Sequence, residues 1–576
     1  MAEHELVIRG GTVIDGTGAP RRTADVAVSG GVVTEVGRVD GIGAREIDAD
    51  GALVTPGFVD IHCHYDGQAT WDERLHPSSW HGVTTVVMGN CGVGFAPVRD
   101  QDHERLIQLM EGVEDIPGAA LSEGLQWGWT DFAGFLDAVD ARPHDLDVAA
   151  QVPHAAVRLH VMGERGSHHE EAATPEEIAE MGRVAAEAIR AGALGFTTSR
   201  TRNHKTSTGE YTPTLTAARE ELVGIAEAVG ATGTGVLQLV GDFLDLDHEF
   251  GTMLEMMRRS GRPMSFSVAQ SPVMPDQFRE LLKRLDAAVD EGLDLRAQVA
   301  PRAVGILLGL DCTLNPFLVN PVFREVAGRP LHEQVAHLSD PEVKRRVLEA
   351  QESEKVRDKL GGGLISRWEL MFPLTDPPQY EPDPADSVAG RAQRAGVTPA
   401  EWAYDHLLDD GGAAMLYVPF LNYAGGNLDT TREMLAHPRT VPGLSDGGAH
   451  VGTICDGSFP TFLLTHWGRD RQRGELFDLE WLVQQHTRET ARTVGLLDRG
   501  VLAPGMRADV NVIDFDRLAI HRPEMHHDLP AGGRRVLQRA TGYRHTVVAG
   551  VETYADGEAT GELPGRLVRG AQPAPR

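Results

Sequence analysis

Cysteine is scarce in this 576-residue chain: Cys63, Cys91, Cys312 and Cys455 are the whole set, and they stand far apart. So sparse a set excludes the disulfide framework of a small secreted domain and leaves the thiols free to act singly, one of them as a ligand. Positive charge is also short, with 54 Lys and Arg against 84 Asp and Glu and a formal net charge of -30. Nucleic acids and anionic membranes are bound by clustered Lys and Arg, so neither is expected as a partner. No apolar run approaches the roughly 20 residues of a membrane span, and the N-terminus has no basic segment followed by an apolar one. A cytoplasmic protein acting on a small-molecule substrate is the expectation. Internal repeats and low-complexity tracts are missing too.

What is present is globular material, 41% hydrophobic and 24% charged, in a chain long enough for two structural units. Residues 6–39 alternate short β-rich runs (Leu6-Val7-Ile8-Arg9, Thr12-Val13-Ile14, Val26-Ala27-Val28) with Gly10-Gly11, Asp15-Gly16 and Gly30-Gly31. Such punctuation predicts an antiparallel meander. The same texture returns at 509–514 and 546–550. Each β-rich end is too short to build a core alone, so residues 1–55 and 501–576 are expected to form one small β-sandwich together.

Between the ends, strand-like runs alternate with helical patterns. Counting the run before His62, the others begin near residues 83, 148, 193, 235, 264, 295 and 440, which makes eight. Eight parallel strands separated by helices predict an α/β fold, a (β/α)8 TIM barrel over 56–500 with its chemistry at the C-terminal strand ends. The seventh and eighth strands are separated by a long insertion at about 303–438, with helices expected near 340–360 and 390–410. That length exceeds an ordinary connection and leaves two alternatives, a lid or an oligomerisation element, the second implying a homo-oligomer.

The chemistry starts from Pro56-Gly57-Phe58-Val59-Asp60-Ile61-His62-Cys63-His64. If Gly51 to Ile61 is a buried strand, alternation puts His62 and His64 on one face, about 7 Å apart, where both imidazoles can reach one ion. Asp446, closing the eighth strand in Ser445-Asp446-Gly447-Gly448, is next to them because strands one and eight of a barrel are neighbours. Two imidazoles and a carboxylate make a borderline-to-hard site with room for water. Water on such an ion, its pKa lowered towards about 7, is a usable nucleophile. Asp446 is then the catalytic residue, carrying the proton from that water to the leaving nitrogen. Cys91, in Gly89-Asn90-Cys91-Gly92 at the end of the second strand, is a thiolate candidate for the same ion. Arg200 and His204 after the fourth strand, Arg302 after the seventh and His450 four residues beyond Asp446 are the candidate substrate-binding residues, the arginines as carboxylate clamps.

These motifs, with Gly82-Val83-Thr84-Thr85-Val86-Val87, Gly192-Ala193-Leu194-Gly195-Phe196 and the tail around Asp528-Leu529-Pro530, resemble the D-aminoacylase (N-acyl-D-amino-acid deacylase) branch of the amidohydrolase superfamily. The resemblance implies zinc-dependent hydrolysis of an amide, with His62, His64 and Asp446 matching one metal position and Cys91 a ligand of the other. Where such deacylases carry histidines at the ends of strands five and six, this chain has Val236-Leu237-Gln238-Leu239-Val240 and Phe266-Ser267-Val268-Ala269-Gln270. Neutral amides are poor zinc ligands. One divalent ion, zinc, is therefore expected, on a substrate other than the usual N-acyl-D-amino acid. A cyclic amide (lactam, imide or hydantoin) is the alternative, and a non-hydrolytic lyase or binding protein on the same barrel is another.

Overall fold

The computed structural model describes residues 2–351 and 361–576. Eight parallel strands lie in order: Phe58–Asp60, Val83–Met88, Asp147–Ala150 (continued by Val152–Pro153), Gly195–Arg200, Val236–Gly241, Met264–Val268, Leu295–Val299 and Thr440–Pro442. Each pairs with the next. The ring is closed just beyond the first and last strands, where Cys63 bridges Gly447 in parallel register. There the Asp446 amide donates to the His62 carbonyl at 3.1 Å and the His64 amide to the Gly447 carbonyl at 2.7 Å. The backbone bonds that close this barrel are thus made by the expected ligand residues, which fixes their mutual register.

The expected strand from Gly51 to Ile61 is divided. Leu53–Pro56 belongs to the sheet of the chain ends and Phe58–Asp60 to the barrel. Gly57 is the break: a Cβ there would meet Thr84 Oγ1 at 2.2 Å, so only glycine lets the chain pass the second barrel strand this closely. The eighth strand also stops early, at Pro442, after which Leu444 and Asp446 take positive φ.

Local signals place the helices. Pro175–Ala191 begins with a capping box, in which Thr174 Oγ1 accepts from the Glu177 amide and Glu177 returns the bond to Thr174. It ends on Gly192 at φ 119°, and its Met181, Ala185, Ala188 and Ile189 face is buried against the barrel.

Strands from both chain ends share one nine-stranded sheet. Its first strand, His4–Val13, pairs with Gly43–Asp48 through its first half and with Leu53–Pro56 through its second, while its antiparallel pairing with Arg22–Ser29 shifts register between Ile8 and Gly11. The sheet encloses its own core of Leu6, Ile8, Val26, Val54, Val510 and Val547.

Residues after the seventh strand build a separate unit with its own core, including Leu308, Phe317, Val347, Val388, Leu416 and Val418. Its antiparallel sheet joins Val304–Leu308, Leu416–Leu421 and Phe372–Pro373. Its helices include Pro341–Gln351, Val388–Ala395 and Pro399–Leu408; the end of the helix expected near 340–360 lies outside the described residues. This unit positions the site. Leu307 and Thr313 donate backbone bonds to Thr453 and Gly452 at 2.7 and 3.1 Å, and from the other side Val536 donates to Val451 at 2.6 Å. The loop carrying Asp446 and His450 is clamped between the insertion and the antiparallel hairpin of Glu524–Leu529 and Gly533–Leu537. Among the described residues no helix is long and apolar enough to cross a membrane.

Candidate metal centre

His62 and His64 leave the first strand buried, at 0% and 1% exposure. Their rings stand 5.6 Å apart, centroid to centroid. Nε2 of His62 lies 3.3 Å from Cys91 Sγ and 3.4 Å from Asp446 Oδ1, and Nε2 of His64 lies 3.6 Å from the same oxygen. Donor atoms of His62, His64 and Cys91 all fall within 4.8 Å of one another, the one cluster of its kind among the described residues.

Strain and packing aim these groups. Cys91, Asp446 and His450 all hold positive φ, at 54°, 48° and 49°. Non-glycine residues adopt that region at a cost, and such outliers gather at functional sites. The Cys91 turn is pinned on every side. Asn90 Nδ2 donates to the carbonyls of Val87 and Cys63, Gln151 Nε2 donates to Asn90 Oδ1, and the Gly92 amide donates to Thr197 Oγ1. Beneath the histidines, Asp60 accepts from the His62 amide and from Ser445 Oγ, tying the first strand to the eighth.

The electrostatics suit a cation. Burial pushes the His62 imidazole down to about 4 and the Cys91 thiol up to about 12. Burial works against charge on His64 too, but the facing Glu114 and Asp446 carboxylates overcome it and hold the imidazole well above its ordinary range. Asp446 is held below the carboxylate range, because its two histidines outweigh its own burial. His64 Nδ1, Asp446 Oδ1 and both Glu114 oxygens are buried without a hydrogen-bond partner. Buried orphans of this kind, beside two imidazole Nε2 atoms and a thiol, fit a divalent ion with imidazole, thiolate and carboxylate ligands. A small cleft lined by His76, Asp446, Gly447, Gly448 and Arg535 opens beside the centre.

The candidate substrate residues are dispersed. His450 does border the centre, its Nε2 3.7 Å from Glu114 Oε2. His204 bonds Ser199 Oγ through Nδ1 at 3.1 Å, and burial together with the charges of His450 and His64 pushes its pKa down to about 3. Arg302 differs from its expected role: it is 2% exposed and committed to Asp456 at 2.7 Å, Ser458 Oγ and the Cys455 carbonyl, with Tyr380 stacked on its guanidinium. Arg200 gives Nη1 to the Ala217 carbonyl and has Glu249 at 3.8 Å. Neither arginine is a free carboxylate clamp.

Gln238 and Gln270, standing where histidines were expected, also part company. Gln270 Oε1 accepts from the Ala424 amide at 3.1 Å and its backbone N–H donates to Asn422 Oδ1, so it docks the insertion onto the barrel. Gln238 is 1% exposed and neither atom of its carboxamide has a partner. Sequence reasoning passed over Glu114 and Gln298. Gln298 Oε1 sits 2.8 Å from His62 Nδ1, and Glu114 Oε1 sits 3.3 Å from His64 Nδ1. Glu114 was nonetheless visible as a carboxylate continuing the apolar Ile107 and Met110 face of helix His103–Glu114.

The model of the amidohydrolase family matches residues 45–554. The D-aminoacylase of Alcaligenes xylosoxydans xylosoxydans is 28% identical over 574 residues, covering 98% of this chain and 97% of that protein. A solved D-aminoacylase, studied for one-metal activation and second-metal attenuation at its binuclear centre, superposes at TM-score 0.65 and 25% identity over 98% of this chain and 100% of that one. The N-acyl-D-glutamate deacylase of Bordetella bronchiseptica, solved with zinc and a phosphonate mimic of the tetrahedral intermediate, gives 0.62 and 25% over 98% and 99%.

Proposed function

We infer the function from a fixed premise: this chain belongs to the amidohydrolase family, whose model spans residues 45–554. It is a metal-dependent hydrolase of carbon–nitrogen bonds other than peptide bonds. Within that class we propose a mononuclear zinc enzyme that cleaves a linear N-acyl amide. The approach of the His62, His64 and Cys91 donor atoms to within 4.8 Å of one another, with Asp446 Oδ1 3.4 and 3.6 Å from the two histidine Nε2 atoms, carries this reading.

A divalent ion held there supplies Lewis acidity to the scissile carbonyl and to the attacking water. The protein's own part is to place and to protonate. His62 and His64 present Nε2 from a barrel closure that cannot slip, since the closing hydrogen bonds are their own. Asp446 stays ionised, with Oδ1 turned to the histidines; its side chain is 17% exposed. We assign Oδ2 the proton of the attacking water and its delivery to the leaving nitrogen. Gln238, with a donor and an acceptor both unmatched, is suited to a neutral amide, which has one of each.

A single ion is favoured by the donor inventory: the fifth and sixth strands bring one idle amide and one committed to the insertion. The one-metal activation described for the similar D-aminoacylase is in keeping with this. Near full-length similarity to that enzyme favours a linear substrate over a ring. Because Arg200 and Arg302 are both engaged, a substrate carboxylate would have to find another partner, and uncharged acyl amides deserve equal trial.

The test is a panel of N-acyl-D-amino acids, the corresponding carboxamides, and lactam, imide and hydantoin rings, assayed with zinc-reconstituted protein. Turnover of linear amides is expected; turnover confined to the rings would replace this substrate class with the cyclic one.

A further inference from the structure

Each ligand histidine has a second nitrogen, and the two are held differently. Nδ1 of His62 faces the carboxamide oxygen of Gln298 at 2.8 Å, while Gln298 Nε2 donates to Ser265 Oγ at 2.9 Å. With its nitrogen so used, Gln298 can only accept, and His62 is fixed as the tautomer with its proton on Nδ1 and its Nε2 lone pair turned inward. Nδ1 of His64 faces Oε1 of Glu114 at 3.3 Å.

Glu114 has no evident structural duty. It is 1% exposed and its two oxygens make no hydrogen bond. It stands in the last turn of its helix, where the macrodipole disfavours negative charge. Among the described residues the groups within ion-pair reach are two imidazoles, His64 and His450, the latter with Nε2 3.7 Å from Oε2. A buried carboxylate so weakly compensated is costly to keep. Its geometry is that of a partner held behind a metal-binding histidine.

We propose that Glu114 is a positioning residue of the metal centre, which accepts Nδ1–H of His64, locks that ring with Nε2 toward the ion, and keeps His450 beside the centre with its other oxygen. This rests on the metal-dependent reading above. It makes the two histidines unequal: His62 is backed by a neutral amide and His64 by an anion, so His64 is the stronger donor of the pair.

Two measurements test it. Metal-free wild type, Glu114→Gln and Glu114→Ala are titrated with zinc in competition with a chromogenic chelator. The zinc Kd is expected to rise about 10-fold in Glu114→Gln, which keeps an acceptor oxygen, and about 100-fold in Glu114→Ala. Affinities within about threefold of wild type in both variants, with circular dichroism showing them folded, would overturn the assignment. In zinc-loaded wild type, imidazole nitrogen NMR is expected to show His64 protonated on Nδ1 and metal-bound through Nε2; the reverse pattern overturns it even if neither variant folds. Wild type that takes up no zinc removes the functional reading and this inference together, whereas normal uptake with unchanged variants removes the inference alone.

Discussion

The two sides of the barrel mouth are made from the same strand–helix unit but carry different chemistry. Strands one, two and eight end in imidazole, thiol and carboxylate. Strands four to seven supply Thr197, Gln238, Ser265 and Gln298, hydroxyls and amides that bond one another, brace a histidine, or lack a partner. Amides and hydroxyls compete badly for zinc against imidazole and thiolate. On the proposed reading the contrast is a division of labour, in which one side would hold the ion and the other would be left to orient a neutral substrate.

The division breaks most completely at Asp446. Asp446→Ala removes the proposed ligand and the proposed proton carrier together, and turnover should fall by at least about 1,000-fold, in a steady-state assay at saturating zinc. Residual activity within about tenfold of wild type would move the proton transfer to another group.

Cys91 sharpens the donor side. In the metal-free protein the Cys91 thiol, at about 12, and the His64 imidazole, held above its usual range, both carry protons at neutral pH, while His62, at about 4, does not. Zinc must displace about two protons, so its affinity should climb with pH by about two log units per pH unit between pH 6 and 8. Cys91→Ala should weaken binding by about 10- to 100-fold and reduce that slope by about one. An unchanged slope would make Cys91 a bystander.

The substrate side responds more mildly. Gln238→Ala should leave zinc content unchanged and lower kcat/KM by about tenfold, the worth of one hydrogen bond to substrate. Loss of metal instead would place Gln238 among the ligands. Smallest is Gln270→Ala, which gives up the bond to Ala424 and should cost about 1 kcal/mol in a thermal melt, with metal content intact.

Much of this division is legible in the chain, for physical reasons. The barrel strands are short apolar runs spaced by helices, and the His-x-His, Gly-Asn-Cys-Gly and Ser-Asp-Gly-Gly elements lie within a few residues of their ends, so local pattern and strand order bring the donors together. Glu114 is less legible because it arrives from a helix, 50 positions from His64, on a face that reads as apolar. The division of Gly51–Ile61 at Gly57 depends on contact with Thr84, which no local pattern carries. Arg302 reads as a free cation until Asp456 and Tyr380, more than 70 residues away in the chain, are seen to enclose it. Likewise the insertion's core draws on residues spread from 306 to 454, so its clamp on the Asp446 loop emerges only when the chain is folded.

The central claim is one ion on the donor-rich side. Elemental analysis of metal-free protein after zinc reconstitution and desalting tests it directly. About one zinc per chain should be retained, and Asp446→Ala or His62→Ala should abolish retention while Gln238→Ala and Gln270→Ala keep it. Two tightly held ions per chain, with Gln238→Ala and Gln270→Ala each releasing one, would contradict the division, and less than about a tenth of an equivalent in wild type would contradict the metal centre itself.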